Sequence, residues 1–188
     1  MKKILYQTIE DRDEADKVEL TGPFPCKKNP WLGSGFYFWD SDIHLGHWWG
    51  EYGYASNYMI CESTCDYNER CWDLHNEYAH RVECKTLVDD IRKRISESDW
   101  NKLLFPKIIN LIRQESAFNQ KYDAIRACGI HSIAKDYEHN VRFNFRDNLP
   151  AYLDLMPAIQ ICLFSKSALN RKGYQIVFPE MYVQDQHF

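Results

Sequence analysis

Gly33-Ser34-Gly35-Phe36-Tyr37-Phe38-Trp39 is the stretch on which the reading of the fold turns. Two glycines fit a tight turn, because glycine reaches unusual backbone angles without a steric penalty. Four consecutive aromatics follow, and an apolar run of that kind reads as a buried strand. Just upstream, PFPCKKNPW (23–31) carries three prolines, which break helix and sheet alike and predict a loop. Just downstream, Asp40 or Ser41 stands where a side chain caps a helix, which is expected to carry HLGHWWGEYG (44–53).

Working outward, KILYQTI (3–9) predicts a first strand, followed by the acidic segment EDRDEADKVE. SNYMICEST (56–64) is a further strand, and ERCWDLH (69–75) is expected to continue the sheet. From 78 to 118 the texture changes. Val82, Leu87, Ile91 and Ile95 form one helical series, and Leu103, Leu104, Ile108, Leu111 and Ile112 a second, both at a period of 3.6. Ser98 and Asp99 lie between them as caps, and Pro106 belongs in the first turns of the second helix or at a kink. Strand character returns at YDAIRACGI (122–130). The stretch 131–150 is polar and turn-rich, with a short strand at VRFNF, and AIQICLF (158–164) and YQIVF (174–178) close the series. A helical insertion inside a mostly β chain predicts one α+β domain over 1–188.

At 188 residues and 22.4 kDa the chain is long enough for one full core. With 45% hydrophobic and 27% charged residues it is neither a disordered tail, a collagen nor a disulfide miniprotein. A net charge of -4 gives no long-range field for DNA or an anionic membrane. A local basic patch from Arg142, Arg146, Lys166, Arg171 and Lys172 stays open. Aromatics make up 15%, enough both to fill a core and to line a pocket for a planar ligand. After Lys2 and Lys3 only Ile4, Leu5 and Tyr6 are apolar before acids arrive, short of the roughly 7–15 residues of a secretory core. No window approaches the roughly 18 apolar residues of a membrane span, so no membrane partner and a cytoplasmic location are expected.

Seven cysteines, Cys26, Cys61, Cys65, Cys71, Cys84, Cys128 and Cys162, are an odd number, and several sit inside apolar runs. Free thiols in a reducing compartment are expected. A zinc site from Cys61, Cys65, Cys71, His75 and His80 matches no common spacing, and Cys61 and Cys65 on one strand stand about 13 Å apart. No metal is expected.

Taken together, Leu5-Tyr6-Gln7-Thr8, Gly33-Ser34-Gly35-Phe36-Tyr37-Phe38 and Gln160-Ile161-Cys162-Leu163-Phe164 resemble motifs of the ADP-ribosyltransferase family, which includes poly-ADP-ribose polymerases and diphtheria-type toxins. The resemblance covers 3–9, 33–75 and 121–170, with 78–118 as an insertion. It implies a split β-sheet core, NAD as substrate, and a His-Tyr-Glu triad that here reads Gln7, Tyr37 and Gln160. It further implies that Gly33, Ser34 and Gly35 form a nicotinamide slot and that Trp48, eleven residues after Tyr37, covers the ring. Small members of the fold are often toxins of bacterial conflict or phage defence, so a mono-ADP-ribosyltransferase acting on a protein or nucleic-acid acceptor is the activity implied.

Two departures bear on activity. Gln7 and Gln160 are neutral amides where the family carries histidine and an acid. A glutamine hydrogen-bonds a ribose hydroxyl but is no useful general base. Chain elongation is therefore not expected, and Glu62 or Glu180 is a candidate for the missing acid. Each residue also has a plainer reading. Tyr37, Trp48 and Trp49 are packing residues, Gly33 and Gly35 serve a turn, and His44 and His47 are partly exposed surface groups on one helix face. A glutamine in an apolar strand either pairs with backbone at a sheet edge or faces a polar pocket. The corresponding alternatives for function are an NAD or ADP-ribose sensor without turnover, and a protein-interaction domain built on 78–118.

Overall fold

A computed structural model of the chain describes residues 1–27, 30–129, 142–146 and 152–183. It is an α+β structure organised on one mixed sheet of seven strands. The strands are β1 (Lys2–Glu10), β2 (Phe36–Asp40), β3 (Tyr58–Asp66), β4 (Cys71–Asp73), β5 (Ala124–Cys128), β8 (Ile159–Leu163) and β9 (Lys172–Phe178). Their order is β4-β5-β8-β2-β1-β3-β9. A separate two-stranded ribbon pairs β6 (Arg142–Asn144) with β7 (Tyr152–Asp154). The rest of the expected turn-rich stretch 131–150 lies outside the described residues.

The six α-helices among the described residues are α1 (Ala15–Thr21), α2 (Ile43–Tyr54), α3 (Tyr78–Arg94), α4 (Glu97–Trp100), α5 (Phe105–Ile112) and α6 (Ser116–Lys121). Among them no helix is long and apolar enough to cross a membrane. The second helix expected in the insertion is broken into three. Ser96, and not Ser98 or Asp99, caps the short α4 by accepting from the Asp99 N–H. Leu104 is extended before Phe105-Pro106, so α5 starts afresh with proline in its first turn, where the missing N–H has no cost. The α2 cap is likewise shifted to Asp42, which accepts from the His44 N–H at 2.9 Å. Asp40 is withdrawn into a buried ion pair and Ser41 turns the chain at φ 63°.

The short segment 71–73 joins the sheet not beside β3 but at the far edge, parallel to β5. A parallel pair needs a long crossover, and α3 to α6 provide it. Alternation along the strands sorts side chains onto two faces. Leu5, Phe38, Cys61, Ile161, Leu163 and Ile176 share the first face with Val18 of α1. The second face carries two separate clusters. Tyr37, Trp72, Ile125 and Cys162 pack under α5 and α6, whereas Trp39, Leu45 and Ala158 pack with Trp48 and Trp49 of α2. Helix α2 comes close to β1 because Gly46 leaves room: a Cβ there would stand 3.2 Å from both Ile60 and Thr8, and its carbonyl accepts from the Thr8 hydroxyl at 2.8 Å.

All seven cysteines are free thiols. Burial pushes Cys61 and Cys162 up to about 12, so they behave as small apolar groups. Among the described residues no group of three or more His, Cys, Asp or Glu side chains is arranged to hold a metal.

Candidate functional site

The three strands bearing the motif residues are neighbours, in the order β8-β2-β1. Their side chains are not on one face. Trp39 pairs with Gln160 on one side and with Tyr6 on the other, so Tyr37, Trp39 and Gln160 look toward the helices. Gln7, one residue past Tyr6, belongs to the first face.

The Gln7 amide is bonded to the chain itself. β1 and β2 pair only through Leu5–Asp40 and Tyr6–Trp39 and then part, while β1 and β3 pair along their whole length. The Gln7 amide fills the gap. Its Nε2 donates to the Phe24 carbonyl at 2.9 Å and the Tyr37 carbonyl at 3.1 Å. Its Oε1 accepts from the Phe24 N–H at 2.9 Å and the Tyr174 hydroxyl at 2.6 Å. All four capacities of the amide are used, so a 5% exposed glutamine is tolerated in an apolar strand. The pairing expected at a sheet edge occurs instead at an internal split.

Tyr37 is also occupied by the chain. Its hydroxyl accepts from the Leu32 N–H at 2.6 Å and donates to the Gly33 carbonyl at 2.7 Å. Burial pushes this phenol far up, so it is neutral at any ordinary pH. In the expected nicotinamide slot, backbone polar atoms of Ser34 and Gly35 are likewise bonded to the chain. The Ser34 N–H donates to Asn110 Oδ1 at 3.2 Å, the Ser34 carbonyl accepts from Arg113, and the Gly35 carbonyl accepts from the Cys26 N–H at 3.0 Å. Gly33 is in the left-handed region at φ 80°, as a turn requires. At Gly35 the close approach is to the neighbouring strand: a Cβ would lie 2.4 Å from Cys162 Sγ and 2.6 Å from the Leu163 carbonyl.

Gln160 is different. It is half-buried and sits where the two apolar clusters of the second face meet. Its Oε1 accepts from the Trp31 indole N–H at 2.5 Å. Trp31 lies so close to the chain just after β5 that a Cβ at Gly129 would fall 1.9 Å from its ring. Trp48 meets Trp39 edge-on at 6.2 Å and stacks on Tyr52 at 5.7 Å. Around one polar amide stand Trp39 and Trp31, with Trp48 behind Trp39. Trp31 was missed in the sequence because a single tryptophan after a proline-rich loop has no periodic signal.

The cross-strand registers place Glu62, Tyr6, Trp39, Gln160 and Ala127 in one row across five strands. Burial, and then the Glu62 carboxylate, raise the Tyr6 phenol. Glu62 is three strands from Gln160, roughly 14 Å at the usual inter-strand spacing. Glu180, beyond β9 at the edge of the sheet, is about one strand further away and exposed. Neither carboxylate stands beside Gln160. His47 packs against Phe178 and meets the Tyr58 hydroxyl at 2.9 Å.

The chain is similar to Uncharacterized protein MJ0359 of Methanocaldococcus jannaschii, with 25% identity over 210 aligned positions covering 93% of this chain and 92% of that protein. No family model and no solved structure matches the chain.

Proposed function

We propose that this chain is an ADP-ribosyltransferase-like protein that binds NAD with the nicotinamide ribose beside Gln160. The observation that carries the reading is the adjacency of β8, β2 and β1, which bear the three motifs, in a sheet that splits at Gln7. A half-buried amide among tryptophans also suits the ligand: an amide hydrogen-bonds ribose hydroxyls, and indoles offer faces to planar rings.

In this reading Trp31 swings away and a ribose hydroxyl replaces its indole N–H on Gln160 Oε1. The carbonyl dipole of Gln160 then faces the positive charge that develops at C1′ as the nicotinamide bond breaks. Trp39 and Trp48 exclude water from one side. Gln7 and Tyr37 act at one remove: Gln7 holds the split open against Phe24, and Tyr37 fixes the Leu32–Gly33 turn that leads back to Trp31. With neither Glu62 nor Glu180 beside Gln160, activation of an acceptor by these two carboxylates is weak, which fits single transfer to a macromolecular acceptor better than chain elongation. The neutral Gln160 also favours a second reading, an NAD or ADP-ribose sensor without turnover.

Nicotinamide release by wild type, Gln160→Ala and Gln160→Glu, with NAD binding followed by calorimetry, tests the proposal. Gln160→Ala is expected to bind NAD within several-fold of wild type but to release nicotinamide more slowly, because the residue acts mainly in the transition state. Gln160→Glu is expected to release it faster, with the gain limited by the cost of desolvating a carboxylate. Binding without release by every variant selects the sensor. No binding heat and no release by any variant removes both readings.

A further inference from the structure

The insertion brings a half-buried cation, Arg113, to the glycine-flanked turn. Arg113, at the end of α5, donates through Nη1 to the Ser34 carbonyl, and its guanidinium lies 3.9 Å from the centre of the Phe164 ring. Among the described residues no carboxylate pairs with it, in contrast to Arg70 and Arg126, which have theirs. The titratable groups facing it are Tyr37 and Cys162, both neutral because burial raises them. Burial also disfavours the charge on Arg113 itself. Beside it stand two more donors. Asn110 accepts the Ser34 N–H through Oδ1, which leaves its Nδ2 as a donor, and the exposed Ser34 carries its hydroxyl on the same turn.

We propose that Arg113, Asn110 and Ser34 form a binding site for a phosphate group. A guanidinium fork, a carboxamide N–H and a hydroxyl offer donors on several sides, which suits a tetrahedral oxyanion better than a planar carboxylate. The site is distinct from Gln160. Phe164 lies four residues further along the same strand face, roughly 13 Å away at the usual rise per residue. It therefore does not rest on the NAD reading, and either stands if the other fails.

The test is titration of the ¹⁵N-labelled full chain with inorganic phosphate, against sodium chloride at matched ionic strength. Saturable shifts of the Ser34 and Gly35 amides and the Asn110 side-chain amide are expected with phosphate and not with chloride. Arg113→Gln is expected to weaken binding at least about tenfold, equivalent to about 1.4 kcal/mol. Asn110→Asp keeps the acceptor for the Ser34 N–H and adds a negative charge, so it is expected to abolish binding in a chain that folds normally. A parallel titration with adenosine 5′-monophosphate separates the sources. Equal affinity assigns phosphate alone and tighter binding assigns a nucleotide, and both uphold the site. Absence of saturable shifts in wild type, equal shifts with chloride, or unchanged binding in Asn110→Asp overturns it.

Discussion

Replacing Arg126 by methionine is expected to cost about 3–5 kcal/mol of folding stability, the usual cost of removing one partner from a buried charge cluster. Arg126 is 4% exposed and bridges two carboxylates, with Nε 2.7 Å from Asp40 Oδ2 and Nη1 2.9 Å from Asp73 Oδ2. Lys3 adds a second cation on Asp40 at 2.8 Å, and Tyr67 donates to Asp73. Two positive and two negative groups balance, and this joins β4, β5, β2 and β1 across the first face. Burial acts to raise both carboxyls. For Asp40 the bonds from Lys3 and Arg126 outweigh it, and for Asp73 the Tyr67 hydroxyl, the backbone N–H groups and the Arg126 charge do so; both are held below the usual range. A depressed folded-state value means that their stabilisation is complete above the unfolded carboxyl range near pH 4 and is lost as pH falls through the lower folded values. In Arg126→Met the two carboxyls lose the partner that depresses them, so the stability difference from wild type is expected to be largest at neutral pH and to shrink as pH falls through the carboxyl range. Urea unfolding at neutral pH and an acid titration of both proteins measure the two effects. A loss below about 1 kcal/mol, set against that range, that does not shrink as pH falls would show that the cluster is not coupled as described.

Gln7→Leu is expected to cost about 2–4 kcal/mol, because it strands the buried Phe24 N–H and Tyr174 hydroxyl as well as two carbonyls. Gln7→Glu is expected to do no better. It keeps the acceptors but loses both donations and buries a charge. Denaturant unfolding of the two variants, with NAD calorimetry on each at a temperature where it is folded, separates structural from ligand-facing roles. Near-wild-type stability with lost NAD binding would instead place Gln7 in the ligand site.

Much of the sheet was legible because its strands carry their own signal. FYFW, MIC and QICLF are too apolar and too short for anything but buried strands, and each is found in the sheet. Helix α1 was not legible in EDRDEADKVE, since only Val18 of that helix is buried and one apolar contact makes no period. The place of β4 was hidden for a different reason. Its partner lies some fifty residues on, and the Arg126–Asp73 pair that ties the two strands is announced by no local pattern. The sequence singled out Gln160 as a polar residue interrupting an apolar strand, and the structure gives it the Trp31 indole as partner. The sequence was misleading at Gln7 and Tyr37, where polar atoms were expected to meet ligand and instead bind the chain's own backbone. Sequence shows that such atoms need partners; which partner wins depends on the loop residues 22–27 and 30–35, which bring Phe24 to Gln7 and Leu32 to Tyr37. Trp31, Asn110 and Arg113 gather around that loop only in three dimensions.

The most direct measurement of the central claim is a crystal structure of the full chain grown with NAD. The account predicts the nicotinamide ribose within hydrogen-bond reach of Gln160, Trp31 moved off its amide, and the Gln7–Phe24 contact unchanged. NAD bound elsewhere with Trp31 still on Gln160 would contradict it.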